Sequence, residues 1–499
     1  HCAHDDRGSP GMTYPILSMM VFTPLLAAII LLRIPSKQKT LLKLIALAAS
    51  LIGLFLASYT AISYNSALAG LQFIERFSWI KVFNIQYSLG VDGLSLSMVL
   101  LTAVIWFTGT LVSWNLQTRV KEFFVYMLFL VSGVFGVFLS LDLLLLFVFL
   151  EIAVIPKFIL IHVWGSGQKE YSALKYTLYL LTGSAFTLVA LIMIYLHTGT
   201  LDLTVLSGLT YSTAFQKAIF GLLLIGFGVI VPLWPLHRWT PDGHSSAPTA
   251  ISMLLAGVIM KLGGYAIIRV GIGVFPAGAV FFAPLIIVIA VINCLYIAFV
   301  AMVQKDLKYV VANSSISHMG YVLIGIGALN TVSLTGAAAQ MFAHGIMAAL
   351  FFALVGIVYQ KTHTRMIADL GGLAHQMPKV ATLFLMTGLA SLGLPGFMNF
   401  VSEFLIFAGA FKSYPIATTL AVLAVVITAI YILRVTAQIF FGPRNPAWDK
   451  VHDVRGMELF PLVFLVTILL TLGVFPSWVV DPLSRSIDPV VVRLTGEKP

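Results

Sequence analysis

Charged residues are scarce in this sequence. They make up 10% of its 499 residues, against roughly 25% in an ordinary soluble domain. Twenty-nine Lys and Arg with 19 Asp and Glu cannot cover a water-soluble core of this length. Cysteine is nearly missing. Cys2 and Cys294 alone exclude a disulfide framework and any cysteine-based metal spacing. Also lacking are a glycine-rich phosphate loop, a CxxC pair, a haem-attachment motif and a nucleophile elbow, so no cofactor and no redox centre is expected in this chain. The short alternating segments of an outer-membrane barrel are absent too.

What is present is long apolar runs. Hydrophobic residues are 60% of the chain and mean hydropathy is +1.01, enough for about 14 spans of ~20 residues. The runs fall at 13–33, 40–64, 94–114, 121–140, 142–164, 172–197, 215–238, 248–274, 279–303, 308–329, 333–360, 379–411, 415–441 and 457–480. They predict an all-α polytopic membrane protein with about 14 transmembrane helices. The longest connection, 65–93, carries Trp79, Tyr87 and mixed charge, which suits an interfacial segment. The net charge of +10 is spread over short loops, so it reads as membrane topology and not as a nucleic-acid surface. Basic residues are about twice as frequent after odd-numbered spans, which places those loops in the cytoplasm and both termini outside. His1, Cys2, His4 and Asp5 offer ligand chemistry, but residues 1–12 read as an N-terminal extension or a translation remnant ahead of Met12.

Two spans carry breaks. The seventh contains Pro232 and Pro235, the twelfth Gly393, Pro395 and Gly396. Proline removes a helix donor and clashes with the preceding turn. Broken helices five spans apart point to two inverted five-helix repeats around an ion path. The expected organisation is therefore 13–120 for spans 1–3, 121–274 for repeat 1 (spans 4–8), 275–441 for repeat 2 (spans 9–13) and 442–499 for span 14 with a short tail.

Ionisable residues inside the runs are the candidate site. Glu151 follows the uninterrupted apolar stretch 143–150, and Lys261 lies about eight residues from Arg269, too deep to snorkel easily. Each reads as a proton-relay group or as half of a static packing pair. Glu403 follows the second break, either on a water-filled proton path or capping a half-helix. His318 and His344 sit on adjacent spans between Lys261 and Glu403 in chain order, as relay members or as satisfied core residues. Asn313, Ser314, Ser315 and Ser317 are candidates to hold bridging water. His237, Arg238, Asp242 and His244 gather at the cytoplasmic mouth of span seven, a solvated loop more than a metal site.

The ordered motifs GVDGLSL (90–96), Glu151 to Pro156, 235–265, SSISHMGYV (314–322) and 393–404 resemble the antiporter-like subunits of respiratory complex I. The M-type, relative of the mitochondrial subunit 4, is nearest, because Glu403 stands where L-type and N-type chains usually carry Lys. The resemblance implies a membrane-arm, proton-translocating subunit of NADH:quinone oxidoreductase in the bacterial inner (plasma) membrane. Its partners would be lipid and the L-type and N-type subunits. FMN, iron–sulfur clusters and quinone would lie elsewhere in the complex. Glu151, Lys261, His318, His344 and Glu403 would form the proton relay. Alternatives are the D-type component of a multisubunit cation/proton antiporter, the membrane subunit of an energy-converting hydrogenase, or a complex I subunit with impaired pumping. The last is raised by one departure. The family's lysine two residues before the first proline of span seven is Ile230 here. Lys157 stands on span five at a depth differing from Ile230 by only about 3 Å. It is expected either to replace the lost lysine, pointing toward spans seven and eight, or to snorkel to the headgroups. Direct pairing with Glu151, six residues away, would need a helix break at Pro156 or a bridging water.

Overall fold

The computed structural model describes residues 15–68 and 70–495, so the reading of residues 1–12 lies outside the described residues. Twelve described helices are long and apolar enough to cross a membrane. Six precede the first break: Ile16–Arg33, Lys39–Ser63, Gly93–Val112, Val120–Leu139, Leu143–Trp164 and Lys169–Thr198. The seventh span runs Thr213–Ile230, breaks, and resumes as Trp239–Ser246. The eighth fills 249–272. The ninth to eleventh are Pro276–Met302, Leu307–Gly327 and Thr331–Thr362, and the thirteenth is Pro415–Phe440. The twelfth is split into Pro378–Ser391 and Met398–Phe411, each too short to cross alone. The last span, Phe460–Val474, bends by 69° into a further helix, Ser477–Thr495.

Helix starts follow local chemistry. Asp92, Asp142, Asp202, Asp306 and Asn330 each precede a helix and accept its first free amides, satisfying donors that lipid cannot. Spans eight, ten and eleven are buried along their whole apolar windows. They form the centre of the bundle, which is where their polar residues sit. Spans two, six, nine and thirteen turn apolar side chains such as Phe55, Leu178, Val288 and Val426 outward, the face a bilayer covers.

Two regions differ from the sequence reading. Residues 65–93, expected as an interfacial segment, carry strands that the sequence reading did not foresee. They contain an antiparallel hairpin, β1 (Gln72–Ile80) and β2 (Ile85–Val91), turned at Asn84 with φ +53°. Glu75 of β1 accepts the Leu17 and Ser18 amides at 2.8 and 3.0 Å and so caps span one. Tyr87 bonds the Ser18 hydroxyl at 3.0 Å, and burial pushes its phenol up to about 12, so it stays protonated. The second difference is the tail. Ser477–Thr495 is an amphipathic helix packed on spans three and eleven, held by Arg485 to the Ser66 carbonyl at 2.6 Å and by Arg493 to that of Gly273 at 3.0 Å.

Both breaks are satisfied from outside their own helix or by glycine. At the first, Asn293 of span nine accepts the Trp234 amide at 2.9 Å and donates to the Pro232 carbonyl at 3.0 Å. Trp239 Nε1 donates to Val229 O at 2.8 Å, tying the second half-helix back to the first. At the second, Gly393 and Gly396 adopt positive φ of +61° and +104°, a conformation glycine takes without strain.

Candidate functional site

Span eight carries the central cation. It is not a plain α-helix. Leu255–Ile259 and Ile267–Ile272 are π-helical and flank the α-helical Met260–Ala266. A π turn loosens the carbonyl ladder, as often happens at functional positions. Here Lys261 donates to the carbonyl of Ala256 inside the first π turn. Its Nζ lies 2.7 Å from His344 Nδ1.

From His344 the contacts continue through span eleven to spans ten and twelve. The His344 and His318 rings have centroids 5.4 Å apart. His318 Nε2 lies 3.0 Å from the Ser391 hydroxyl at the second break. Its Nδ1 is 3.5 Å from Glu403 Oε1, an ion-pair distance that does not form a hydrogen bond. Gln340, one helical turn before His344, donates to the same Glu403 oxygen at 3.2 Å. Ser402 donates to Gln340 Oε1, which fixes the amide's orientation. Lys261, His344, His318 and Glu403 expose 0%, 0%, 1% and 4% of their surfaces, so each charge is screened by its neighbours alone. Glu403 is no helix cap: its half-helix has Phe397 at the cap with no side-chain bond. A Cβ on Gly393 would lie 2.5 Å from Glu403 Oε2, so the glycine also makes room for the carboxylate.

The other half is arranged differently. Glu151 accepts the Ser184 hydroxyl of span six. The helix Leu143–Trp164 continues through Pro156 without a break, and Glu151 and Lys157 keep separate partners. Lys157 is 1% exposed and places Nζ 5.4 Å from the Tyr176 ring centroid. It therefore points into the protein and not to the headgroups. Tyr176 meets Trp239, beyond the first break, edge-on at 5.1 Å, so the cation faces spans six and seven. Ile230 is buried at the end of the first half-helix.

At the mouth of span seven, Asp242 accepts Lys175 at 2.6 Å and the Tyr309 hydroxyl at 3.0 Å. His244 is not in the solvated loop expected for it; it is completely buried. Among the described residues no three His, Cys, Asp or Glu are close enough to share a metal. Of the polar residues placed beside His318, Asn313 and Ser317 bond the carbonyls of Tyr309 and Cys294, and Ser314 bonds Tyr431.

Several residues that structure this site escape sequence reasoning. Gln340 is four residues from His344 on one helix face, a spacing that is readable. Ser391 sits at the second break with only its position to mark it. Lys308 reads as a loop charge, yet it is 3% exposed. Asp92 and Arg269, far apart in sequence, form an ion pair at the end of span eight.

The family described as NADH:quinone oxidoreductase/Mrp antiporter, TM, matches residues 140–428 of this chain. A relative named NAD(P)H-quinone oxidoreductase chain 4 1, from Synechococcus sp. (strain JA-2-3B'a(2-13)), is 40% identical over 478 residues, covering 93% of this chain and 90% of its own. The NAD(P)H-quinone oxidoreductase chain 4 of Gloeobacter violaceus is 35% identical over 497 residues, covering 97% of this chain and 94% of its own. A chain of respiratory complex I from Thermus thermophilus superposes with a TM-score of 0.88 at 27% identity, over 95% of this chain and 99% of that one. A chain of the Mrp complex from Dietzia sp. shares the fold, with a TM-score of 0.86 at 20% identity over 97% and 98% of the two chains.

Proposed function

The chain belongs to the NADH:quinone oxidoreductase/Mrp antiporter transmembrane family, at its chain 4 or M-type branch, and from that premise we propose how it moves protons. It is an antiporter-like membrane subunit of a complex I-type NADH:quinone oxidoreductase and translocates protons while quinone is reduced. In this reading the redox centres lie in other subunits, and FMN, iron–sulfur clusters and quinone stay outside this chain. L-type and N-type subunits flank it in the inner membrane of a bacterium, with both termini on the outer side.

The observation that carries the mechanism is the contact line from Lys261 through His344 and His318 to Glu403. A lysine ammonium beside an imidazole nitrogen passes its proton over one hydrogen bond. The imidazole releases it from its other nitrogen, and the second histidine hands it to the carboxylate. Glu403 is the terminal group, poised where the broken helix admits water. Glu151 and Lys157 serve the opposite half-path, with Lys157 standing in for the cation that Ile230 lacks. Matching contacts support two inverted units at 121–274 and 275–441: spans four and five pack together much as spans nine and ten do, and spans six and seven much as eleven and twelve.

The test is Glu403→Gln in the assembled complex, which keeps the shape and removes the proton site. Proton translocation in sealed vesicles is expected to fall at least tenfold, with quinone reduction slowing alongside. Unchanged translocation per quinone reduced, in a complex of normal composition, would refute the relay.

A further inference from the structure

Glu403 is a buried carboxyl that has to be accommodated in two states. When charged it needs hydrogen-bond donors, and when neutral its O–H needs an acceptor. One oxygen, Oε1, faces both His318 Nδ1 at 3.5 Å and Gln340 Nε2 at 3.2 Å. The oxygen nearest the incoming proton is therefore the one that already accepts the amide of Gln340. Among the described residues this amide makes the only hydrogen bond to the carboxylate.

Gln340 is completely buried on span eleven. Its amide is two-sided, with an acceptor oxygen on one side and a donor NH2 on the other. The NH2 points at Glu403, and the oxygen accepts the hydroxyl of Ser402. Ser402 is also completely buried, and it has two further acceptors in reach, Asn399 O at 3.0 Å and Met398 O at 3.2 Å. A hydroxyl has one proton to give and lone pairs with which to accept. The Ser402 proton can thus leave the amide for a backbone carbonyl, and the Ser402 oxygen can then accept from an NH2. Turning the amide by half a revolution keeps every partner satisfied. Its oxygen then faces Glu403 and accepts the O–H of the neutral acid, while its NH2 faces Ser402. One arrangement suits the carboxylate and the other suits the acid.

The remaining titratable groups around Glu403 are His318 and Tyr321 of span ten, Cys294 of span nine and Tyr431 of span thirteen. His344 of span eleven stands behind His318, and the span-fourteen helix Phe460–Val474 has no titratable side chain. Tyr431 is committed to Ser314 at 2.9 Å, and the Tyr321 hydroxyl bonds nothing. Gln340 alone is placed to answer a change of state on Glu403.

We propose that Gln340 is a two-position amide switch, anchored by Ser402, that turns with the arrival and departure of the proton on Glu403. As His318 passes its proton on, an N–H bond breaks and an O–H bond forms on Glu403. The amide turns its oxygen to that O–H, and Ser402 turns its own proton to a backbone carbonyl. When the proton leaves Glu403 for water, the amide turns back. One proton arrives and one leaves, so no further reactant is needed. Gln340 never carries the proton and is a positioning residue. The switch deepens the relay reading above and rests on it.

The test uses the whole complex in sealed vesicles, with infrared difference spectra taken across a pH step and proton uptake measured in parallel. Glu403 is identified by the carboxyl band that Glu403→Gln removes. In the unaltered complex, labelled with carbon-13 at the glutamine side-chain carbonyl, that band is expected to rise together with a shift in a glutamine amide band. Ser402→Ala assigns the amide band to Gln340, because the carbonyl loses its hydroxyl partner and the band moves to higher frequency. Gln340→Met removes the amide band and moves the carboxyl band to higher frequency. It is also expected to slow translocation about tenfold, the size of one lost hydrogen bond to a charged group. A carboxyl band that rises with no glutamine signal would make the amide a fixed donor and overturn the switch, even if Gln340→Met fails to assemble. An unmoved carboxyl band in Gln340→Met would overturn it too. If Glu403→Gln abolishes pumping while the amide stays silent, the switch falls and the relay stands; if Glu403→Gln pumps normally, the relay itself has failed.

Discussion

The two charged halves of this bundle are built on different terms. From Lys261 to Glu403 the ionisable groups follow one another closely, by a 2.7 Å hydrogen bond, a pair of rings 5.4 Å apart and a 3.5 Å ion-pair approach, and side chains such as Gln340 and Ser391 hold the pieces in register. Between Glu151 and Lys157 there is no such line. One carboxylate is held by a serine hydroxyl and one ammonium by an aromatic face. In the relay proposed above, the connected half would need only small shifts between groups already side by side, and the other half would need water or larger motion. The contrast teaches that comparable buried charges can be closely aligned on one side of a bundle and held apart on the other.

The sharpest way to break this comparison is at Lys157. If its ammonium replaces the cation missing at Ile230, Lys157→Met lowers proton translocation about fivefold, and the double variant Lys157→Met with Ile230→Lys recovers most of it. Vesicle pumping assays on the two variants check this; a single variant that pumps normally removes Lys157 from the path. A smaller effect is expected from Gly393→Ala. Left-handed backbone costs an alanine roughly 1–2 kcal/mol, and the new methyl meets the Glu403 carboxylate. The complex should melt at a lower temperature and pump about threefold more slowly, read from thermal denaturation and uptake rates. The smallest change is expected at Ser184→Ala. It removes one hydrogen bond to a carboxylate, worth about 1.5–3 kcal/mol at most and less where water substitutes. Pumping should drop no more than about twofold. A tenfold loss would show that the first half is as tightly wired as the second.

Much of this is legible in the sequence, and the reasons are physical. Helices in lipid are long and apolar, so the runs mark most of the spans. Proline in a span breaks it, and both breaks stand where Pro232, Pro235 and Pro395 put them. Charges are costly at membrane depth, so Glu151, Lys261 and Glu403 stand out against an apolar background. What stays hidden depends on contacts distant in sequence. The hairpin of Gln72–Val91 is short and mixes apolar with charged residues without strict alternation, and it is tied to span one through Glu75. The tail helix contains Pro482 and Pro489, which argue against a helix until the packing surface beneath it is known. Lys308 begins a helix after the capping Asp306 and looks like a loop charge, because its burial comes from residues 247–252 of another span. The π turns of span eight leave no mark in composition, since they are a matter of how carbonyls are shared.

Asn293 has a consequence for the molecule as a machine. It belongs to the ninth span, yet its amide closes both loose ends of the break in the seventh, at Pro232 and Trp234. The gap in the first half is thus riveted to a strut of the second. Any tilt of that strut pulls on the break in the seventh span, and a jolt at Pro232 travels back along the same rivet. The two halves therefore share a mechanical joint, and neither can be rearranged as though the other were a fixed wall.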